Sequence, residues 1–234
     1  MNTDNAFNLK NNKKNIYDIT KFTHIDYPDH LAAVIWFSGC NMRCDYCYNK
    51  DIVFSKNGLI SMQETLNFLH TRLFLLDGVV LSGGEASAYD LVEFCTKIKE
   101  MGFAIKLDTN GTYFSNLKEL LDLNLLDYVA LDYKAPKEKF QQISHSSKYK
   151  EFSKSLDLLL ESEIDFEVRT TLHNDLLSPE DINAIIADLL QRGYKAPYYI
   201  QNFLETTTNI AGLKQSSKKF NKELLRNDLN IIWR

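Results

Sequence analysis

Three of the four cysteines in this 234-residue chain fall in one stretch, Ser38-Gly39-Cys40-Asn41-Met42-Arg43-Cys44-Asp45-Tyr46-Cys47-Tyr48-Asn49, spaced C-x3-C-x2-C. Thiolates are soft ligands suited to iron–sulfur clusters and zinc. Three of them on one short loop can hold three irons of a cubane and leave the fourth iron open to a non-protein ligand. A closed structural site takes four protein ligands. A zinc knuckle completed from elsewhere, or cysteines buried as small hydrophobes, are the alternatives. Cys95 falls on the apolar face of a helical pattern and reads as core.

An apolar run over 31–37 leads straight into the loop and reads as a buried strand, so the cysteines leave a strand's C-terminal end. The rhythm then continues. A short strand over 16–22 and a turn at Pro28-Asp29 come before that run. A helix starts at Ser61, with Glu64 as capping-box partner and Met62, Leu66, Leu69, Leu73 and Leu76 at helical spacing. Strands are expected over 78–81, 103–107, 128–131, 166–172 and 198–203. Helices are expected over 89–101, 115–123, 140–161, 179–192 and 218–225, and a closing strand over 230–233. Gly102 ends the second helix and Pro179 opens a later one. Alternating strands and helices mean βαβ units and a parallel sheet. The fold class is α/β, a partial (β/α)6 TIM-like barrel of parallel strands open on one side. One domain spans 1–234, with a flexible lead over 1–15, the barrel over 16–205, and a C-terminal loop, helix and short strand over 206–234.

Hydrophobic content of 44%, charged content of 25% and net charge of −4 are ordinary for a globular protein. They argue against nucleic-acid or anionic-membrane binding as the main activity. No apolar run is long enough to span a bilayer, and the polar N-terminus lacks a signal-peptide core. A cytoplasmic protein is expected, in which a cysteine cluster points to metal or catalysis.

Parallel strands place their C-terminal ends on one face, where barrels carry their active sites. Here the strand tails are Ser82-Gly83-Gly84-Glu85, Asp108-Thr109-Asn110-Gly111, Asp132-Tyr133-Lys134, Arg169-Thr170-Thr171 and Gln201-Asn202-Phe203. Glycines at 83 and 84 would let a ligand approach the backbone, and Glu85 could accept from an ammonium. Asn110-Gly111 is explained as a turn better than Asp108 is. Asp132 and Lys134 lie on one side of their strand, as a surface ion pair or as holders of a ligand ammonium and carboxylate. Arg169, between apolar neighbours, needs an anion. His70, His145 and His173 have no local constellation and read as surface or loop residues.

These residues resemble a family. A C-x3-C-x-aromatic-C loop, with Tyr46 in the aromatic slot, followed by GGE after the next strand, looks like the radical S-adenosylmethionine (SAM) superfamily. The stretches IDYP-x-x-LAAVIWFSGCNMRCDYCYN, DGVVLSGGE, LDTNG, DYVALDYKAP and EVRTT resemble the activating enzymes of glycyl-radical enzymes. They are most similar to the activating proteins of anaerobic ribonucleoside-triphosphate reductases, and more distantly to pyruvate formate-lyase activating enzyme. The resemblance covers 16–203. Departures are Tyr48 where relatives often carry His, Asp29 in place of a usual glycine, and Asn202-Phe203-Leu204.

The resemblance implies a [4Fe–4S] cluster on Cys40, Cys44 and Cys47, with SAM on the open iron. Ser82, Gly83, Gly84 and Glu85 would contact the methionine amino end and Lys134 its carboxylate. The backbone around Tyr46 would touch adenine, and Gln201 would lie toward the nucleoside. Asn110 and Arg169 complete the implied cofactor-binding set. Asp108, Thr109 and Asp132 match positions that line a monovalent-cation site. With Cys95 in the core, no second cluster is expected. The implied reaction is reductive SAM cleavage, driven by flavodoxin or ferredoxin, and hydrogen abstraction from a glycine of a partner glycyl-radical enzyme. The rival is a radical SAM enzyme with a small-molecule substrate, similar to 7-carboxy-7-deazaguanine synthase; a non-catalytic metal module leaves the strand-end motifs unexplained.

Overall fold

The computed structural model describes residues 9, 13–206 and 208–234. Most of the lead expected to be flexible lies outside the described residues. The chain divides into two compact units interleaved in sequence: Met1–Cys40, Asp51–Thr109 and Ser115–Val129 in the first, Asn41–Lys50, Asn110–Phe114 and Ala130–Arg234 in the second.

The first unit holds strands β1 (Lys14–Thr23), β2 (Ala32–Phe37), β3 (Ile60–Ser61), β4 (Gly78–Gly83) and β5 (Ala104–Thr109). They lie in the order β3-β1-β2-β4-β5. The pairs β2–β4 and β4–β5 are parallel, with Val34 opposite Val80 and Val80 opposite Lys106. The early strand β1 instead runs antiparallel to β2 and to β3. Ala32, Ala33, Ile35, Val79, Val80 and Leu81 are wholly buried. Such continuous apolar runs are what strands covered on both faces require. Asp29, in the turn before β2, has φ 60. Aspartate is one of the few residues that visits this left-handed region readily, so the turn can form without a glycine at this position.

Helices α1 (Lys50–Phe54), α2 (Met62–His70), α3 (Val92–Glu100) and α4 (Phe114–Asp122) connect these strands. The expected capping box at Ser61 and Glu64 is present. The helix stops at His70, short of Leu73 and Leu76, because the chain turns back toward β4 through Phe74 at φ 64. The expected helix start at Tyr89 is displaced to Val92, because Glu85 caps a separate 3-10 turn over Ala86–Ala88.

In the second unit the order is β6-β7-β8-β9, with β6 (Tyr128–Asp132) contributing from Ala130 onward, then β7 (Asp165–Leu172), β8 (Tyr198–Asn202) and β9 (Ile231–Trp233). The pairs β7–β8 and β8–β9 are parallel, so the expected closing strand is present. The helix expected over 140–161 is two helices, α5 (Lys137–Ser144) and α6 (Tyr149–Glu161). His145 separates them in a left-handed conformation and caps α5 through its N–H to Gln141 O. Helix α7 (Pro179–Gln191) opens on Ser178 with a capping box to Asp181. The helix expected over 218–225 is only a 3-10 turn, Lys222–Leu224, with no buried side chain. Without an apolar face to bury, so short a segment cannot offset the cost of helix nucleation. Among the described residues no helix is long and apolar enough to cross a membrane.

Candidate active site

In the first unit β2 and β4 end side by side. The N–H of Gly84 donates to Phe37 O at 2.8 Å, and that of Glu85 to Gly39 O at 2.9 Å. A Cβ on Gly84 would sit 1.9 Å from Gly39 O, and one on Gly83, at φ 114, would sit 2.3 Å from Phe37 N. The two glycines therefore let the turn after β4 pack on the backbone that delivers Cys40. The expectation gave them to the ligand; the structure shows what they do for the loop. Gly39 itself has φ 74 and donates to Ile52 O at 2.8 Å, and Tyr89 Oη donates to Ser38 O at 2.6 Å.

Glu85 is buried, and its Oε1 accepts from Ser87 Oγ at 2.6 Å and Thr109 Oγ1 at 2.7 Å. That ties the end of β4 to the end of β5. Asp108 accepts from Ser82 Oγ at 3.1 Å and from Lys106 Nζ at 2.6 Å. Lys106, which sequence reasoning passed over, is almost wholly buried. Its signal was readable: a lysine inside an apolar strand, two residues before an aspartate, must share that residue's face. A protein ammonium thus already neutralises Asp108, one of the residues matched to a cation site.

In the second unit the rest of the cysteine loop is held by backbone and amide bonds. Arg43 N–H donates to Ser144 O at 2.9 Å, and Asp45 N–H to Ile143 O at 3.2 Å. Asn110 Nδ2 donates to Asn41 Oδ1 at 3.0 Å, Asn41 Nδ2 to Thr112 Oγ1 at 2.7 Å, and Thr112 Oγ1 to Asn110 Oδ1 at 2.6 Å. The Asn110 amide, expected at the cofactor, thus anchors the loop. His145, expected to lack a constellation, meets Asp45 at 2.7 Å through Nε2. His173, expected to be a surface or loop residue, lies in the loop just after β7 but is buried against Phe203, and its Nε2 donates to Lys214 O at 2.9 Å. Gln201 lies half-buried near the end of β8, opposite Thr171.

Beside the loop stands a charge cluster. Asp132 accepts from Arg169 Nε at 2.9 Å and from Lys134 Nζ at 3.0 Å. Burial alone would raise the Asp132 pKa; the Arg169 guanidinium and Lys134 ammonium outweigh it and bring it from 3.8 to about 2. Lys134 feels Asp132, Tyr46 and Cys44, which together outweigh its own burial and hold its pKa well above the usual lysine value. Burial pushes the Cys44 thiol up to about 11, against the opposing pull of Lys134, and raises that of Cys47. The Tyr46 hydroxyl is buried with no hydrogen-bond partner. Cys95, pushed up to about 12 by burial, is core as expected.

A model of the family described as "Radical SAM superfamily" matches residues 34–195. The chain belongs to the radical SAM superfamily. A Methanocaldococcus jannaschii protein named for the glycyl-radical enzyme activating enzymes is 33% identical over 71% of this chain and 72% of its own length. Pyruvate formate-lyase 1-activating enzyme of Escherichia coli is 33% identical over 50% of this chain and 51% of its own length. The structure of Streptococcus suis SuiB bound to S-adenosylmethionine superposes with a TM-score of 0.64 at 13% identity, covering 86% of this chain and 51% of that one. Escherichia coli QueE gives 0.53 at 17% identity, covering 81% and 84%. At these identities the structures show the fold: the mostly parallel α/β fold of partial-barrel radical SAM enzymes, as expected from the sequence.

Radical SAM enzymes use a [4Fe–4S] cluster and SAM, and the residues present fit both. Cys40, Cys44 and Cys47 form no disulfide. Among the described residues no three His, Cys, Asp or Glu side chains close on a single metal ion. Thiols raised by burial stay protonated at neutral pH until a metal displaces the proton. The unpartnered Tyr46 hydroxyl and the Lys134 ammonium leave polar groups for a ligand beside Cys44.

Two outcomes are expected. Gly84→Ala overpacks the turn against Gly39 and costs about 1–3 kcal/mol; iron and sulfide content after anaerobic reconstitution falls, while circular dichroism retains the helical signal. The depressed pKa of Asp132 adds stability that is present above its unfolded value and lost as pH falls from about 4 to about 2. The stability gap between wild type and Asp132→Asn, measured by denaturant titration, should close across that window and stay constant from pH 5 to 7.

Proposed function

We propose that this protein is an activase: it binds a [4Fe–4S] cluster through Cys40, Cys44 and Cys47 and installs a glycyl radical on a partner enzyme, an anaerobic ribonucleoside-triphosphate reductase. The observation that carries the reading is the three-thiol loop with the Lys134 ammonium beside Cys44, in a chain that is 33% identical over 71% of its length to a protein named for such activases. When bound, the reduced cluster supplies one electron to the SAM sulfonium and so a carbon radical able to take a hydrogen atom.

The chain's own residues hold and orient. Three cysteines leave one iron for an amino-acid ligand. Lys134 offers a cation to the SAM carboxylate, and Asp132 and Arg169 keep that lysine charged and in place. Ser82, Gly83, Gly84 and Glu85 form the turn that meets the amino end. Asp108 and Thr109 fix it from the next strand. The backbone around Tyr46 would touch the adenine, and Gln201 would lie toward the nucleoside. A low-potential carrier, flavodoxin or ferredoxin, provides the electron, and exclusion of water protects the reactive species.

Anaerobic reconstitution followed by reduction should give methionine and 5′-deoxyadenosine from SAM. With the reductase added, electron paramagnetic resonance should show a glycyl radical. Cys44→Ala should lose the intact cluster and SAM cleavage together while the fold persists; retention of full cleavage removes the ligand assignment. Cleavage with no partner radical removes the activase role, and turnover of a small molecule without a protein partner moves the protein to the small-molecule class.

A further inference from the structure

The second unit contains a run of alternating charges that extends away from Lys134. Asp132 links Lys134 to Arg169. Arg169 Nη1 lies 3.8 Å from Glu167 Oε1. Glu167, buried, is clasped from its other side by Arg234, Nη1 to Oε1 at 3.2 Å and Nη2 to Oε2 at 3.0 Å. Glu167 and Arg169 alternate along β7, so both project from one face of it.

Arg234 is set firmly for this contact. It follows β9, donates its N–H to Ile200 O at 2.9 Å and accepts the Asn202 N–H at 2.9 Å. Its guanidinium stacks on Tyr199, 3.8 Å from the ring centroid, and Tyr199 lies opposite Arg169 in the sheet. A bidentate fork on a carboxylate is the strongest geometry available to arginine.

Each carboxylate in the run is shared between two cations. Without Arg234, the whole charge of Glu167 would fall on Arg169. Arg169 would then be drawn from Asp132, and Asp132 would turn its charge to Lys134. We infer that Arg234 is a positioning residue for substrate: by occupying Glu167 it keeps Arg169 on Asp132 and leaves Lys134 available to the SAM carboxylate. The inference rests on the assignment of Lys134 to that carboxylate.

An alternating run makes alternating predictions, which a merely structural role does not. SAM binding is measured by anaerobic equilibrium dialysis on reconstituted holoenzyme whose iron and sulfide are matched to wild type. Arg234→Gln should weaken binding about three- to fivefold, the span of a partly exposed ion pair. Arg234→Lys should recover most of it. Glu167→Gln should leave binding unchanged or tighter, and the double variant should return close to wild type. Weaker binding in both single variants, or none in either, overturns the inference. Lys134→Met separates the two levels: if it binds SAM as wild type does, the assignment of Lys134 fails, whatever Arg234 does.

Discussion

The structure depends on one constraint: a parallel strand buried on both faces has no place for polar side chains except near its ends. In β2 and β4 the buried runs end at Phe37 and Leu81, and the next residues are Ser38-Gly39-Cys40 and Ser82-Gly83-Gly84-Glu85. Backbone amides of the strand tails bind one another, so the polar tails hold fixed positions. Chemistry gathers there because the sheet interior excludes it.

The exceptions are informative. Lys106 and Glu167 are charged side chains buried within strands, and each has a partner of opposite charge at 2.6–3.2 Å. Burying a charge without such a partner is costly. In both cases the buried charge sits two residues before an opposite charge on the same strand, so one strand face carries alternating signs. Asp132, between a guanidinium and an ammonium, remains ionised for the same reason. In the second unit the charges nearest Cys44, Lys134 and Asp132, are thus paired with one another and with Arg169.

Glycine has a second role beside the loop. The close approach of Gly84 to Gly39 is a backbone contact, and a side chain at either glycine of the GGE turn would push the loop away from β4. Asn41, Asn110 and Thr112 then close the loop with side-chain bonds. The cysteine thiols need to contribute little to the loop's shape, since backbone and amide contacts already hold it.

Much of this was legible in the sequence because it is local. The C-x3-C-x2-C spacing, the capping box at Ser61, the helix start at Pro179, the apolar runs of the parallel strands and the polar tails after them depend on neighbours a few residues away. The break at His145, the early stop of α2 and the loss of the helix expected over 218–225 depend on where the chain must go next or on what it can bury, which propensity does not record. The pairings of Arg169 with Asp132, of Arg234 with Glu167 and of Asn110 with Asn41 join residues 37, 67 and 69 positions apart. Residue type and spacing alone determined that three of the four cysteines sit on one short loop after a buried strand. Only the tertiary structure decided which charges neutralise one another, because an ion pair is set by distance in space, and strand order brings those residues together.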